Sequence, residues 1–166
     1  MRLAGTLLST LLAACAAHAD ASIVHRAGEP DVYRMPATDA RMNEAIALAR
    51  HSVEEFIGAF THATAHQRSF AVEVSVIDGT SVEQLWVDLE SYANGQFTGH
   101  IANEPLDVHN VQRGDRIVVD QERISDWMYV DRGHLVGGFT LRLMRATLNE
   151  ADRQAFDATL PFEVTD

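Results

Sequence analysis

The hydrophobic period of this chain changes near Ser69, and that change limits what the chain can fold into. Before it, Met42, Ile46, Ala49, Val53, Phe56, Ile57 and Phe60 recur at helical spacing. Glu44, Arg50, Glu54 and Glu55 mostly occupy the opposite side. Thr38 or Asp39 offers an N-cap, so the spacing predicts one helix of about 20 residues. After it, Phe70, Val72, Val74 and Val76 alternate with Ala71, Glu73 and Ser75, as in a strand buried on one side. A one-sided helix and a one-sided strand each need a partner layer, and each can supply the other's.

Period two then persists. Asp78-Gly79 signals a turn, and Leu85, Val87 and Leu89 alternate behind it. Asn94-Gly95 is a strong hairpin signal, because both central residues of a type I′ turn need positive φ. A strand over Gln96 to Ile101 follows, and Asn103-Glu104-Pro105 ends it. Arg113-Gly114-Asp115 turns into a strand from Arg116 to Asp120. Residues 124 to 130 and 136 to 144 read as two more strands around Asp131-Arg132-Gly133. Asn149 caps a short last helix through Phe156. The expectation is α+β: a long N-terminal helix packed on a curled antiparallel sheet or partial barrel of five to six strands, with a short C-terminal helix.

The N-terminal residues carry a different signal. Arg2 precedes an apolar run from Leu3 to Ala17, shorter than the about 20 residues that span a bilayer. Ala17-His18-Ala19 is a small-x-small cleavage pattern, so residues 1–19 read as a signal peptide. Leu12-Ala13-Ala14-Cys15 also fits a lipobox, with cleavage after residue 14 and Cys15 as the lipid anchor. Residues 20–37, with Gly28, Pro30 and Pro36, read as a tether or extended lead-in. Residues 38–162 form the expected single globular domain, of ordinary size for one core. The expected location is the periplasm, with the protein soluble or anchored as a lipoprotein.

Composition narrows the partners. The formal net charge of −11 in 166 residues disfavours nucleic acid and anionic lipid surfaces and favours a basic protein partner. Every basic residue is an arginine, which with the abundant alanine points to a GC-rich bacterial genome. Cys15 is the only cysteine, so disulfides, zinc-thiolate sites and a cysteine nucleophile are excluded from the folded domain.

Local motifs add little chemistry. His62 and His66 are four apart, as in zinc-binding pairs, but no acid-base glutamate lies between them, and solvated histidines are expected instead. Asp78-Gly79-Thr80 lacks the aspartate two residues earlier that phosphotransfer of the haloacid dehalogenase kind requires, since Val76 stands there. Arg113-Gly114-Asp115 reads as a turn. There is no G-x-S-x-G elbow and no phosphate-cradling loop. Carboxylates are too numerous for any pair to stand out as acid and base. No metal site and no cofactor are expected.

Several segments together carry a resemblance: Leu85-Trp86-Val87, Phe97-Thr98-Gly99, Ala102-Asn103-Glu104-Pro105, Gly114-Asp115, Ile124-Ser125-Asp126-Trp127-Met128-Tyr129 and Gly137-Gly138-Phe139-Thr140-Leu141-Arg142. Over roughly residues 32 to 146 the chain resembles the bacterial domain of unknown function family 2314. The resemblance implies one domain and supplies no activity. From alternation, Ile124, Asp126 and Met128 share one face of a strand, and Ser125, Trp127 and Tyr129 the other. A buried Asp126 would need an arginine, a hydroxyl or a backbone amide. The structural reading makes Asp126 a satisfied anion and the tryptophans core aromatics. The functional reading gathers Trp86, Asn103, Asp126, Trp127 and Tyr129 as a binding patch. The expected function is a non-enzymatic, protein-binding envelope protein of inhibitor or immunity type, with a hydrolase using carboxylates or histidines as the alternative.

Overall fold

The computed structural model describes residues 39–165 in full. Before them it describes the backbone of two short paired strands, β1 (Ser22–Val24) and β2 (Val32–Arg34). The proposed signal, Cys15 and most of the lead-in lie outside the described residues.

Asp39 caps the first helix, its carboxylate accepting from Arg41 N at 2.9 Å. The helical stretch is not one long helix. It is α1 (Ala40–His51) and α2 (Val53–Thr61), joined at Ser52. Ser52 leaves helical geometry, at φ −99° and ψ 9°, and its Oγ donates back to the Leu48 and Ala49 carbonyls.

Six antiparallel strands follow: β3 (Gln67–Asp78), β4 (Ser81–Ala93), β5 (Gln96–Ile101), β6 (Arg116–Asp120), β7 (Ile124–Asp131) and β8 (His134–Gly137). Their order across the sheet is β6-β5-β4-β3-β7-β8, and the sheet is open rather than closed into a barrel. Asn94-Gly95 and Arg132-Gly133 turn two hairpins with positive φ at both positions. At Gly99 a Cβ would collide with the Asp88 carbonyl, so only glycine lets β5 approach β4 at the irregularity between Leu89 and Ser91.

The strand expected over 136 to 144 is corrected. β8 stops at Gly137, and Phe139–Thr147 forms helix α3, followed by α4 (Glu150–Thr159) behind the Asn149 cap. Gly137 and Gly138 both take positive φ, which ends the strand and turns the chain into a helix whose period the short segment did not reveal. A Cβ on Gly137 would strike the Trp127 ring.

The two helices α1 and α2 cover one face of the sheet. Phe56 is fully buried there, with its ring 5.1 Å from that of Trp127, 5.8 Å from Phe97 and 6.0 Å from Phe70. Val72, Val74, Leu85 and Val87 complete the same cluster. Trp127 Nε1 donates to the Ala49 carbonyl at 2.9 Å, and Arg50 Nε to the Ile124 carbonyl at 2.8 Å, tying α1 to β7. By strand alternation the opposite face carries Glu73, Ser75, Ile77, Val82, Gln84, Trp86 and Asp88.

Candidate functional site: an acid pair on the bare face

Glu73 of β3 lies directly across from Trp86 on one side and Asp126 on the other. Alternation fails locally in β7, because Glu73 pairs with Asp126 while Val74 pairs with Ile124, leaving Ser125 as an extra residue. The bulge sends Ile124 into the core beneath the helices, contrary to the expectation that it shares a face with Asp126. It also brings the Ser125 hydroxyl onto the Glu73 carboxylate.

Asp126 is completely buried and fully engaged. Its Oδ1 accepts from Trp127 N at 2.7 Å; its Oδ2 accepts from Thr140 N at 2.8 Å and Thr140 Oγ1 at 2.7 Å. Thr140 lies in the first turn of α3, whose own N-cap, Gly138, has no side chain to offer. A carboxylate from β7 therefore serves as the cap and meets the positive end of the helix dipole.

Glu73 is only partly buried, and it shares those hydroxyls. Its Oε2 lies 3.0 Å from Ser125 Oγ and 3.2 Å from Thr140 Oγ1. Ser125 Oγ also faces Gln84 Oε1 at 2.9 Å, and Gln84 Nε2 donates to Ser75 Oγ at 2.8 Å. Each hydroxyl has one proton and two acceptors. Thr140 donates to its nearer neighbour, Asp126. A proton on Glu73 Oε2 then donates to Ser125, which donates to Gln84, and only the longer Thr140–Glu73 contact is left without a proton.

The electrostatics agree. Burial first, and the Asp126 charge second, push the Glu73 carboxyl from 4.5 up to about 7, against the Ser125 and Thr140 hydrogen bonds. Burial also raises Asp126, but backbone amides and the Thr140 hydroxyl hold its charged form. Asp126 has more donors, two backbone amides and a hydroxyl, so the proton sits on Glu73. A carboxyl poised near neutrality and partly open to solvent is suited to proton exchange.

A second polar group stands farther along the same face. His100 Nδ1 faces the Gly114 carbonyl and Nε2 faces Glu90 Oε1, both at 2.9 Å, so two acceptors favour imidazolium and raise its pKa. Arg116 joins Glu90 at 3.3 Å. Among the described residues no three His, Asp, Glu or Cys side chains converge as metal ligands. His62 ends α2 and is exposed, with its ring directed at Gly58 and Thr61, and His66 lies beyond the helix.

The five residues singled out from sequence do not form one rim. Trp127 and Tyr129 lie under the helices, Tyr129 with its ring 4.9 Å from Phe70. Trp86 is half-buried on the bare face, and Asn103 sits next to it, its side-chain oxygen accepting from Trp86 N at 2.8 Å. Asp126 is near Trp86 only through Glu73. Glu73, Gln84, Ser125 and Thr140 were not singled out. Glu73 looks like any outward residue of a strand, and Thr140 falls where a strand is expected instead of a helix N-terminus.

Two known proteins are similar to this chain. The chain is 33% identical over 119 residues to the uncharacterized protein YegJ of Escherichia coli K12, covering 72% of this chain and 76% of that protein. It is 39% identical over 82 residues to a Neisseria meningitidis protein described as a putative ankyrin repeat protein, covering 49% of this chain and 32% of that one. No solved structure matches. No helix among the described residues is long and apolar enough to cross a membrane. Residues 39–164 match the family described as an uncharacterized protein conserved in bacteria, DUF2314, and the chain belongs to that family.

Proposed function

We propose that the protein is an exported, non-enzymatic protein-binding domain of the bacterial envelope, of inhibitor or immunity type, whose partner is cationic. The bare face of the sheet carries this reading. Its apolar side chains stay exposed, Ile77 at 58% and Val82 directly opposite it at 57%, and Asp88 and Glu90 lie on the same face. Apolar residues set among acidic ones give an interface both contact area and selectivity for a basic partner. The net charge of −11 steers such a partner toward the domain. A similar segment inside a larger protein described as a putative ankyrin repeat protein also favours an interaction role. Export is read from Arg2, the apolar run and Ala17-His18-Ala19.

The test is capture from a periplasmic extract on immobilised mature protein at low salt. A basic protein released by salt, and lost with Asp88→Arg, is the expected result. No retained partner at low salt sinks the proposal. Fractionation of a Cys15→Ser strain decides the anchoring. Release into the soluble fraction means a lipoprotein, and no change means cleavage after Ala19.

One observation favours a second reading, a periplasmic hydrolase. Glu73 near neutrality, in contact with Ser125, has the properties of a general acid or base. Turnover in a hydrolase panel that disappears with Glu73→Gln is the expected sign. A panel without turnover removes this reading.

A further inference from the structure

A cleft of about 230 Å³ opens between β3 and β6, two strands that are not neighbours in the sheet. Four consecutive residues of β3, 74–77, and three of β6, 117–119, line it. A strand that presents its face shows every second residue, whereas consecutive residues mean that it presents its edge. The sheet therefore curls until two strand edges look at each other across a gap.

Hydrogen-bond parity identifies the free groups. The two-residue hairpin pairs Asp78 with Ser81, so Asp78, Val76 and Val74 bond β4 while Ile77 and Ser75 turn the other way. The neighbour on that side is β7, and its register with β3 ends at Val74↔Ile124. In β6, Gln121 N bonds the Gly95 carbonyl, and the residues of the same parity, Val119 and Ile117, face β5. Val118 faces outward and is 56% exposed. The pairing of Val74 with Ile124 uses the Ser75 N–H toward Arg123. Among the described residues the Ser75 carbonyl, the N–H of Ile77 and the backbone of Val118 have no ladder partner, while the Ile77 carbonyl takes Asn110 Nδ2.

One end of the cleft is closed. Beyond Val74 the place beside β3 belongs to β7, which begins just after Arg123. A segment added to the β3 edge must stop there. Arg123 stands at that stop, exposed, with no ion pair among the described residues, and it is the one charged residue of the lining.

We propose that this cleft binds the C-terminal end of a partner polypeptide as an added strand, with its terminal carboxylate on Arg123. The segment runs antiparallel to β3 and parallel to β6, in line with β7. Its backbone pairs with the Ser75 carbonyl, the Ile77 N–H and both groups of Val118, and apolar side chains meet Ile77 and Val118. A chain end meets both constraints at the stop: it needs no onward path, and it brings the charge that Arg123 lacks. The inference rests on the protein-binding reading and adds the chemistry of the contacting segment.

The test uses a six-residue peptide of alternating threonine and valine, made with a free C-terminal carboxylate and as the amide, and titrated into the ¹⁵N-labelled mature protein. The expected result is shifts at Ser75, Ile77 and Val118, with slowed amide exchange at Ile77 and Val118. Affinity should be about ten-fold higher for the free carboxylate than for the amide, and the two should become equal in Arg123→Gln. Equal affinity in the wild type, shifts confined to Trp86, Asp88 and Glu90, or no binding at millimolar peptide overturns the proposal. Because the titration needs no cationic partner, its failure leaves the bare-face reading intact, and failed periplasmic capture leaves the titration intact.

Discussion

The two faces of the sheet solve opposite problems with the same strands. Under the helices, Phe56, Trp127, Phe97 and Phe70 touch ring to ring and exclude water. On the other face, Glu73, Ser125, Gln84 and Thr140 form a chain of hydrogen bonds around a buried carboxylate. The first face depends on area and shape, which tolerate no polar group. The second depends on the count of protons and acceptors, which shifts with pH. The tryptophans divide the same way, Trp127 buried in the first and Trp86 half-buried in the second. Two residues of one type thus take separate roles according to strand parity.

Trp127→Ala should give the largest effect. It removes ring contacts with Phe56 and Phe139 and the hydrogen bond to the Ala49 carbonyl, so a loss of about 3–5 kcal/mol is expected in urea unfolding. Trp86→Ala should cost clearly less. Equal costs would break the contrast between the faces.

Asp126→Ala comes next, because it strips the first turn of α3 of its acceptor and leaves Thr140 N and Trp127 N unpaired. A loss of about 1–3 kcal/mol is expected, with exchange protection falling first in α3. Full protection of α3 would remove Asp126 from its capping role.

The pH dependence separates the faces directly. Glu73 binds its proton more tightly when folded, about 7 against 4.5, so its contribution is fully present below pH 4.5 and is lost as the pH rises through 7. Asp126, also raised, acts in the same direction. Melting temperatures should therefore fall from pH 5 to pH 8 in the wild type. Glu73→Gln should flatten that profile and be the more stable protein at pH 8. An unchanged slope in this variant would show that Glu73 is not the proton holder. The smallest effect belongs to Ile77→Thr, whose exposed side chain should change stability by no more than about 0.5 kcal/mol.

How much was readable in advance depended on the range of the interaction. The Asn94-Gly95 hairpin, the β3 to β6 strands and the Asn149 cap follow from contacts within a few residues, and alternation or turn chemistry exposes them. The break at Ser52 was hidden, because the apolar stripe continues across it and only the hydroxyl's bond to Leu48 reveals it. The switch from strand to helix after Gly137 was hidden as well. Val136, Phe139, Leu141 and Leu143 suit either period, and the outcome turns on two glycines at positive φ and a cap from a distant strand.

The sequence by itself determined the class of the fold, α+β, since a one-sided helix and a run of one-sided strands can bury each other in few ways. It also determined the family and the acidity. Only the tertiary structure decided which acids matter. Glu73 and Asp126 are 53 positions apart, and one β-bulge brings a serine against one carboxylate while a helix N-terminus arrives over the other. A carboxyl's proton affinity is set by burial and by the charges around it, and a sequence does not list its spatial neighbours.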